Sequence, residues 1–450
     1  MTLLARFKAT AFLVVLAGYL LFNYPFMQLR IPPVGFGVPL GELLLVLVLL
    51  TTDVSRVLLR LNTTVVMLPF LAWWGWGFAR FLHDTAHKGF WAFRDSTQLV
   101  ESLFLIVGFT LAAQPGMVER LARWLRPTLF GACVFGLLSM YETQISAISP
   151  TLPGASGQGI PILAPFATPG TMLLWGACFC MIMPCQSQAR RTRFTLLAGL
   201  LVAYALLVVQ ARTTYLQLLA VAGLMFLCRP RALRPLAFAI PMLFVVLVVI
   251  SAFDLRISGR LTSDISPTFL WDHILSIFGI GEGGLTAAAN GVDLRLDWWQ
   301  HIYDQLTSDG VTLLTGLGFG VPLTNFRDPL GVLVREPHNS VISVAARLGL
   351  IGILAWIWMQ IELFRAGLRA YFDCRRSGRT EAASLILLCL AFVVLTIASC
   401  FGEDAMEKPY NAIPYYALWG FILRIGYQMR AATSKPRASY AAPLSYPGTT

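Results

Sequence analysis

Ala382-Ala-Ser-Leu-Ile-Leu-Leu-Cys-Leu-Ala-Phe-Val-Val-Leu-Thr-Ile-Ala-Ser-Cys400 carries no charged side chain from end to end. A helix rises about 1.5 Å per residue, so about 20 apolar residues cross the roughly 30 Å hydrocarbon core of a bilayer. The run therefore reads as a membrane helix. Similar runs recur in both directions from it. About twelve candidate spans result, at 9–24, 35–51, 63–82, 97–113, 127–144, 161–183, 194–210, 213–228, 235–253, 340–364, 382–400 and 411–428. Composition agrees, because 57% of the 450 residues are hydrophobic and only 13% are charged, against about 25% charged in soluble domains. The expected fold class is all-α integral membrane, with one long extracytoplasmic loop that contains helices. The chain divides into nine spans over 1–253, the loop over 254–339, three spans over 340–430 and a tail over 431–450. The tail is polar and rich in Pro, Ser and Ala, and is expected to be a disordered cytoplasmic segment.

The formal net charge of +11 does not point to nucleic acid, since no basic patch with interleaved aromatics occurs. The basic residues instead sit in short clusters between alternate runs. Arg120, Arg123 and Arg126 form one cluster; Arg190, Arg191 and Arg193 a second; Arg229, Arg231 and Arg234 a third. Arg365, Arg369, Arg375, Arg376 and Arg379 follow span ten. This is the positive-inside pattern, and it puts both termini in the cytoplasm. The first run follows Arg6 and Lys8 and lacks a small-residue cleavage site, so it reads as an uncleaved span. The same map puts His83, His87, His273, His301 and His338 on the outer side. None of the eight cysteines lies between Phe253 and His338, which excludes a disulfide framework or a cysteine zinc site in the long loop.

Long loops without a task are uncommon, and this one is dense in candidate chemistry. Asp293-Leu-Arg-Leu-Asp-Trp-Trp-Gln-His-Ile-Tyr-Asp-Gln-Leu306 has helical periodicity. Leu294, Trp298, Trp299, Ile302, Tyr303 and Leu306 share one face, expected to lie at the membrane surface, with Arg295 beside it. Leu314-Thr-Gly-Leu-Gly-Phe-Gly320 reads either as a turn needing positive φ or as a phosphate contact through Gly318. Arg335-Glu-Pro-His-Asn-Ser340 leads into span ten. There His338 and Asn339 read either as chemistry or as a capping Asn beside an incidental His. Arg212, in Val209-Gln-Ala-Arg-Thr-Thr214, runs against the positive-inside bias at an outer turn. It either snorkels to headgroups or binds an anion.

The order of an outer-turn arginine, Arg295-x-x-Trp298, Gly316-x-Gly318, Pro337-His338-Asn339 and Gly349-Leu-Ile-Gly352 resembles the bacterial O-antigen ligase and O-antigen polymerase superfamily. The match is densest over 293–355, with Arg212 as a separate anchor. Glu407-Lys-Pro-Tyr410 resembles one polymerase branch. The resemblance implies a glycosyltransferase of the bacterial inner membrane, with its active site facing the periplasm. Its donor would be an undecaprenyl-pyrophosphate-linked glycan, and its acceptor a second glycan or the lipid A-core. Arg212 and Arg295 match the family's pyrophosphate-binding arginines, and His338 its essential histidine. Ser258-Gly259-Arg260 matches a common position of the loop arginine, but no Trp follows at the right spacing, so Arg260 is held in reserve. Asn339, Trp298, Trp299, Gly318 and Arg335 complete the expected substrate contacts.

Two arginines can neutralise a departing pyrophosphate without a metal or cofactor, and a neutral His338 can take the acceptor proton. The implied displacement is direct and inverting, in surface polysaccharide synthesis, with polymerase slightly favoured over ligase. The rival reading is a transporter or flippase of lipid-linked glycans. That class places ionisable groups at the bilayer midplane, where this chain offers Glu42 and Glu101.

Overall fold

The computed structural model describes residues 2–32, 37–62, 65–153, 159–163, 168–183, 187–234, 286–327 and 331–433, with scattered positions between 237 and 253. Span 235–253, the Ser258-Gly259-Arg260 motif, His273, Cys185 and most of the tail lie wholly or mostly outside the described residues. Two short hairpins, Arg30–Ile31 with Val38–Pro39 and Thr151–Pro153 with Gly159–Pro161, are the strand pairs described. Every other expected span contains a helix. Four helical segments among the described residues are long and apolar enough to cross a membrane: Leu3–Met27, Met117–Ile148, Ser340–Arg376 and Thr380–Ser399. Leu40–Leu50, Thr97–Leu111, Pro169–Ile182 and Arg212–Cys228 are shorter apolar helices. The chain is an all-α membrane protein.

The helix ends differ from the sequence reading in one systematic way. Arg120, Arg123 and Arg126, expected in a loop, lie on the helix Met117–Leu137, and Arg190, Arg191 and Arg193 lie on Gln188–Leu207. Hydropathy marks the hydrocarbon core, whereas a helix stops only where its backbone does. Arginine is a good helix former, so these helices continue into the interface.

Thr380–Ser399 and Pro409–Thr433 form the centre of the bundle and are buried on nearly every side. Pro409–Thr433 packs closely on Phe104–Leu111. A Cβ on Gly108 would meet the Ala417 carbonyl oxygen at 2.1 Å, and one on Gly420 would meet the Leu105 oxygen at 2.3 Å. Small residues let the two backbones touch, which matters in lipid, where packing rather than water exclusion drives association. Gln217 Nε2 adds polar glue by donating to Thr171 Oγ1 at 2.6 Å, Ser399 Oγ at 2.6 Å and the Leu395 carbonyl at 3.0 Å. The outward surface keeps large apolar side chains such as Leu68, Phe130, Leu219, Phe226 and Leu354, as a lipid-facing surface should. The two central helices are joined by the short segment 400–408, which is thereby held on the buried centre of the bundle.

Candidate active site

Segment 400–408 folds across the start of the long helix Ser340–Arg376. Ser340 N donates to the Cys400 carbonyl at 2.9 Å and the Glu403 carbonyl at 3.2 Å. Asn339 is the N-cap, its Oδ1 accepting from Ile342 N at 3.1 Å, while its Nδ2 donates to the Phe401 carbonyl at 3.0 Å. Both ends of its amide are thus engaged in holding the helix start, which is the capping alternative raised by the sequence. His338, one residue earlier, has φ of +52°. A non-glycine residue seldom adopts that left-handed conformation, and it persists only where the surroundings enforce it. Here the Asn339 cap and the Pro337 carbonyl, which accepts from Trp299 Nε1 at 3.0 Å, fix the chain on both sides.

The His338 side chain is 39% exposed, and its Nδ1 lies 3.3 Å from Asp404 Oδ1. Lys408 Nζ pairs with the same oxygen at 2.8 Å. Burial alone would raise the Asp404 pKa, but the His338 hydrogen bond and Lys408 overcome it and hold the carboxyl well below the usual range. An ionised carboxylate only accepts, so His338 Nδ1 carries the proton and donates it. In the neutral imidazole Nε2 is then the free acceptor. Glu407 is different. Burial, then the neighbouring carboxylates Glu336 and Asp404, push its pKa up to about 8. It contacts the Ser340 hydroxyl, which also accepts from Met406 N at 3.0 Å.

The helix Thr286–Leu306 brings in Arg295, and Arg212 opens the helix Arg212–Cys228. Arg295 Nη1 donates to the Gly402 carbonyl at 3.1 Å, and Gly402 packs against the side chain of Thr213, next to Arg212. Burial, and then the charge of Arg295, lower the Arg212 pKa, so the two arginines lie within electrostatic reach although far apart in sequence. The Trp298 ring sits 5.8 Å from the His338 ring, centroid to centroid, and 5.5 Å from that of Phe326. Part of the apolar face of this helix, expected at a membrane surface, is covered by protein. Trp298 and Ile302 are buried, and Ile302 packs with Leu323 and Ala346 into a small core, while Tyr303 is exposed. Ala346 at the start of the long helix and Leu323 give that face a protein partner, which the sequence pattern could not show.

The glycine segment and Arg335 support this arrangement from behind. Gly316, Gly318 and Gly320 all have positive φ, the turn alternative of the sequence reading. Their neighbouring amides are spoken for. Leu317 N and Gly318 N donate to the Ala346 and Arg347 carbonyls, Phe319 N to Asp84 Oδ2 at 2.8 Å and Gly320 N to Asp95 Oδ2 at 3.1 Å. The Gly318 amide is thus engaged within the protein. Gly349 breaks the long helix with φ of +65°, and a Cβ there would meet the Leu314 carbonyl oxygen at 2.3 Å. Arg335 is held by Asp95 at 2.8 Å and stacks over Trp91 at 4.3 Å. Arg347 pairs with Asp95 at 3.0 Å and with Glu336 at 2.8 Å. The expected substrate contacts Gly318 and Arg335 therefore fall in an internal network, whereas Arg212, Arg295, Trp298, His338 and Asn339 gather around segment 400–408. The sequence reading missed Asp84, Asp95, Arg347, Asp404 and Lys408. Only Gly402-Glu403-Asp404, a charged break between two apolar runs, carried a usable signal. Among the described residues no group of three or more His, Cys, Asp or Glu is arranged to hold a metal ion.

Fold and site together define a polytopic α-helical membrane protein with a histidine–carboxylate pair and two arginines gathered at one end of the bundle. The sequence profile described as O-antigen ligase matches residues 197–357, a stretch that takes in Arg212, Arg295 and His338. The match supports membership of the O-antigen ligase/polymerase family, whose substrates in general are lipid-linked glycans and polysaccharides. No curated protein matches it.

Proposed function

We propose that the chain is a metal-independent, inverting glycosyltransferase that moves a glycan from an undecaprenyl-pyrophosphate donor to an acceptor hydroxyl. The acceptor oxygen attacks the anomeric carbon, the bond from that carbon to the pyrophosphate oxygen breaks, and the hydroxyl proton passes to His338 Nε2. The leaving pyrophosphate gains negative charge at that moment. Arg212 and Arg295 neutralise it, an electrostatic contribution that acts most strongly in a water-poor site. Asp404 holds the imidazole in the tautomer that leaves Nε2 free and stabilises the imidazolium that forms. Trp298 gives the sugar an apolar wall.

The observation that carries this reading is the convergence of Arg212, Arg295 and the His338–Asp404 pair on segment 400–408. The site faces the periplasm of the bacterial inner membrane, by the positive-inside assignment. The polymerase version is slightly favoured over the ligase version, on the resemblance of Glu407-Lys-Pro-Tyr410 to the polymerase branch.

The transporter reading has one observation in its favour. Glu101 is fully buried among the helices, with no hydrogen-bond partner for either carboxylate oxygen among the described residues. Proteoliposomes loaded with a lipid-linked oligosaccharide separate the two readings. New glycosidic bonds support transfer, and leaflet exchange without bond formation refutes it. The glycan of a deletion strain then separates the versions. Chains cut to one repeat indicate polymerase, and full-length chains left on the carrier indicate ligase.

A further inference from the structure

A cavity of about 670 Å³ opens at the end of the bundle opposite His338. Two helices establish that placement. Arg212–Cys228 starts at the site and ends at the cavity residue Arg229, and Ser340–Arg376 runs from the site to Arg375. Beyond the break at Gly349, the stretch 350–376 of the second helix covers about 40 Å at about 1.5 Å per residue, more than the roughly 30 Å hydrocarbon core of a bilayer. Five arginines line the cavity: Arg191, Arg229, Arg231, Arg234 and Arg375. They come from three places in the chain, so the fold and not local sequence assembles them.

Two of the five are anchored. Arg229 donates to the Ile182 carbonyl, and Arg375 Nη1 donates to the Cys228 carbonyl at 2.8 Å, an oxygen it shares with the Tyr371 hydroxyl at 2.9 Å. None of the five is in an ion pair with a carboxylate among the described residues. Like charges brought into one concavity repel unless an anion joins them. Arginine forks match phosphate oxygens in geometry. Apart from Thr195, the rest of the wall is apolar, including Met181, Met183, Phe194 and Pro230, which suits an amphiphile as well as a simple anion. Basic pockets between membrane helices on the cytoplasmic side recurrently hold lipid headgroups.

We propose that this cavity is a binding site for a phosphate-bearing anion, the chemistry common to an anionic phospholipid headgroup and a soluble phosphate. The site is separate from the glycan chemistry at the other end and does not depend on it. The test uses the full-length protein purified in detergent. Native mass spectrometry counts adducts of phosphatidylglycerol and of zwitterionic phosphatidylcholine, and a thermal-shift titration reads inorganic phosphate. The triple variant Arg191→Gln, Arg231→Gln, Arg234→Gln leaves both anchored arginines in place. Arg193→Gln, one charge on the same helix but outside the cavity, is the control.

The expected result is at least tenfold weaker phosphatidylglycerol binding in the triple variant, with phosphatidylcholine unaffected and the control like wild type. Inorganic phosphate binding that the triple variant loses, without a lipid effect, also supports the proposal and makes the source soluble. Equal binding of both probes by wild type and triple variant overturns it, as does binding of neither, or an equal loss in the control. If the triple variant elutes as aggregate, Arg231→Gln alone is read by the same criteria, with a two- to threefold loss expected.

Discussion

Replacing Asp404 with asparagine removes one negative charge and leaves the shape of the side chain almost unchanged. In the native protein this carboxylate accepts from His338 Nδ1 at 3.3 Å and from Lys408 at 2.8 Å. Hydrogen bonds to charged groups contribute about 1.5–3 kcal/mol. The His338 contact is long, which puts it near the lower end, about 1.5 kcal/mol, or about tenfold in rate. A second effect adds to this. The new amide can donate to Nδ1, which would place the imidazole proton on Nε2 and disable it as a base. The loss then grows towards the whole general-base contribution, about 10²–10⁴-fold. The expected outcome for D404N is a fall in kcat of about 10- to 100-fold, with the KM for the donor within about twofold, since both arginines remain. Turnover is measured in proteoliposomes with a lipid-linked oligosaccharide and normalised to protein eluting as a folded species. Lys408→Met serves as the control, because it removes the other partner of Asp404 but keeps the His338–Asp404 bond, and its kcat should fall less. Wild-type kcat in folded D404N would refute an orienting role for Asp404, and a matching loss in the Lys408 variant would assign the effect to general destabilisation.

His338→Ala should lower normalised turnover by about 10²–10⁴-fold while donor binding persists; retained turnover would leave His338 a purely structural residue and make Asp304, Asp309 or Glu336 the next candidates for the base. Arg295→Lys should also lose most activity, because a point charge cannot reproduce a planar fork, and a wild-type rate in that variant would remove the pyrophosphate role. Asp95→Ala leaves Arg335 and Arg347 without their shared counter-charge and should destabilise by about 3–5 kcal/mol, read as a fall in Tm or in detergent-extracted yield; an unchanged Tm would contradict the network. Glu407 gives a pH prediction. Its folded pKa of about 8 lies above the ordinary value of 4.5, so the folded state binds more protons than the unfolded state between those values. Its contribution is therefore complete below about pH 4.5 and is lost as pH rises through 8. Thermal stability of the wild type should decline over this window and that of Glu407→Gln should decline less, whereas parallel curves would place the titration elsewhere.

The apolar runs determined the fold class, because a backbone in lipid must satisfy its own hydrogen bonds and a continuous apolar helix is the direct way to do so. Ala382–Cys400 shows this without any tertiary information. The candidate residues Arg212, Arg295 and His338 were also legible, from their types, their positions outside the runs and the motif order around them. What the sequence could not decide was which of several polar groups meet. The sequence left Asn339 and Gly318 open between fold and substrate contacts; in the structure Asn339 caps a helix and the Gly318 amide bonds within the protein, since each buried amide takes whichever acceptor the fold brings near. Asp404, itself paired with Lys408, reaches His338 only because the two central helices return the chain across the start of the long one. The Trp298 face turned inward for the same kind of reason. Periodicity says that a face is apolar, and only the packed structure says whether lipid or protein covers it. Pair contacts between residues far apart in sequence depend on helix packing geometry, and no local pattern encodes them.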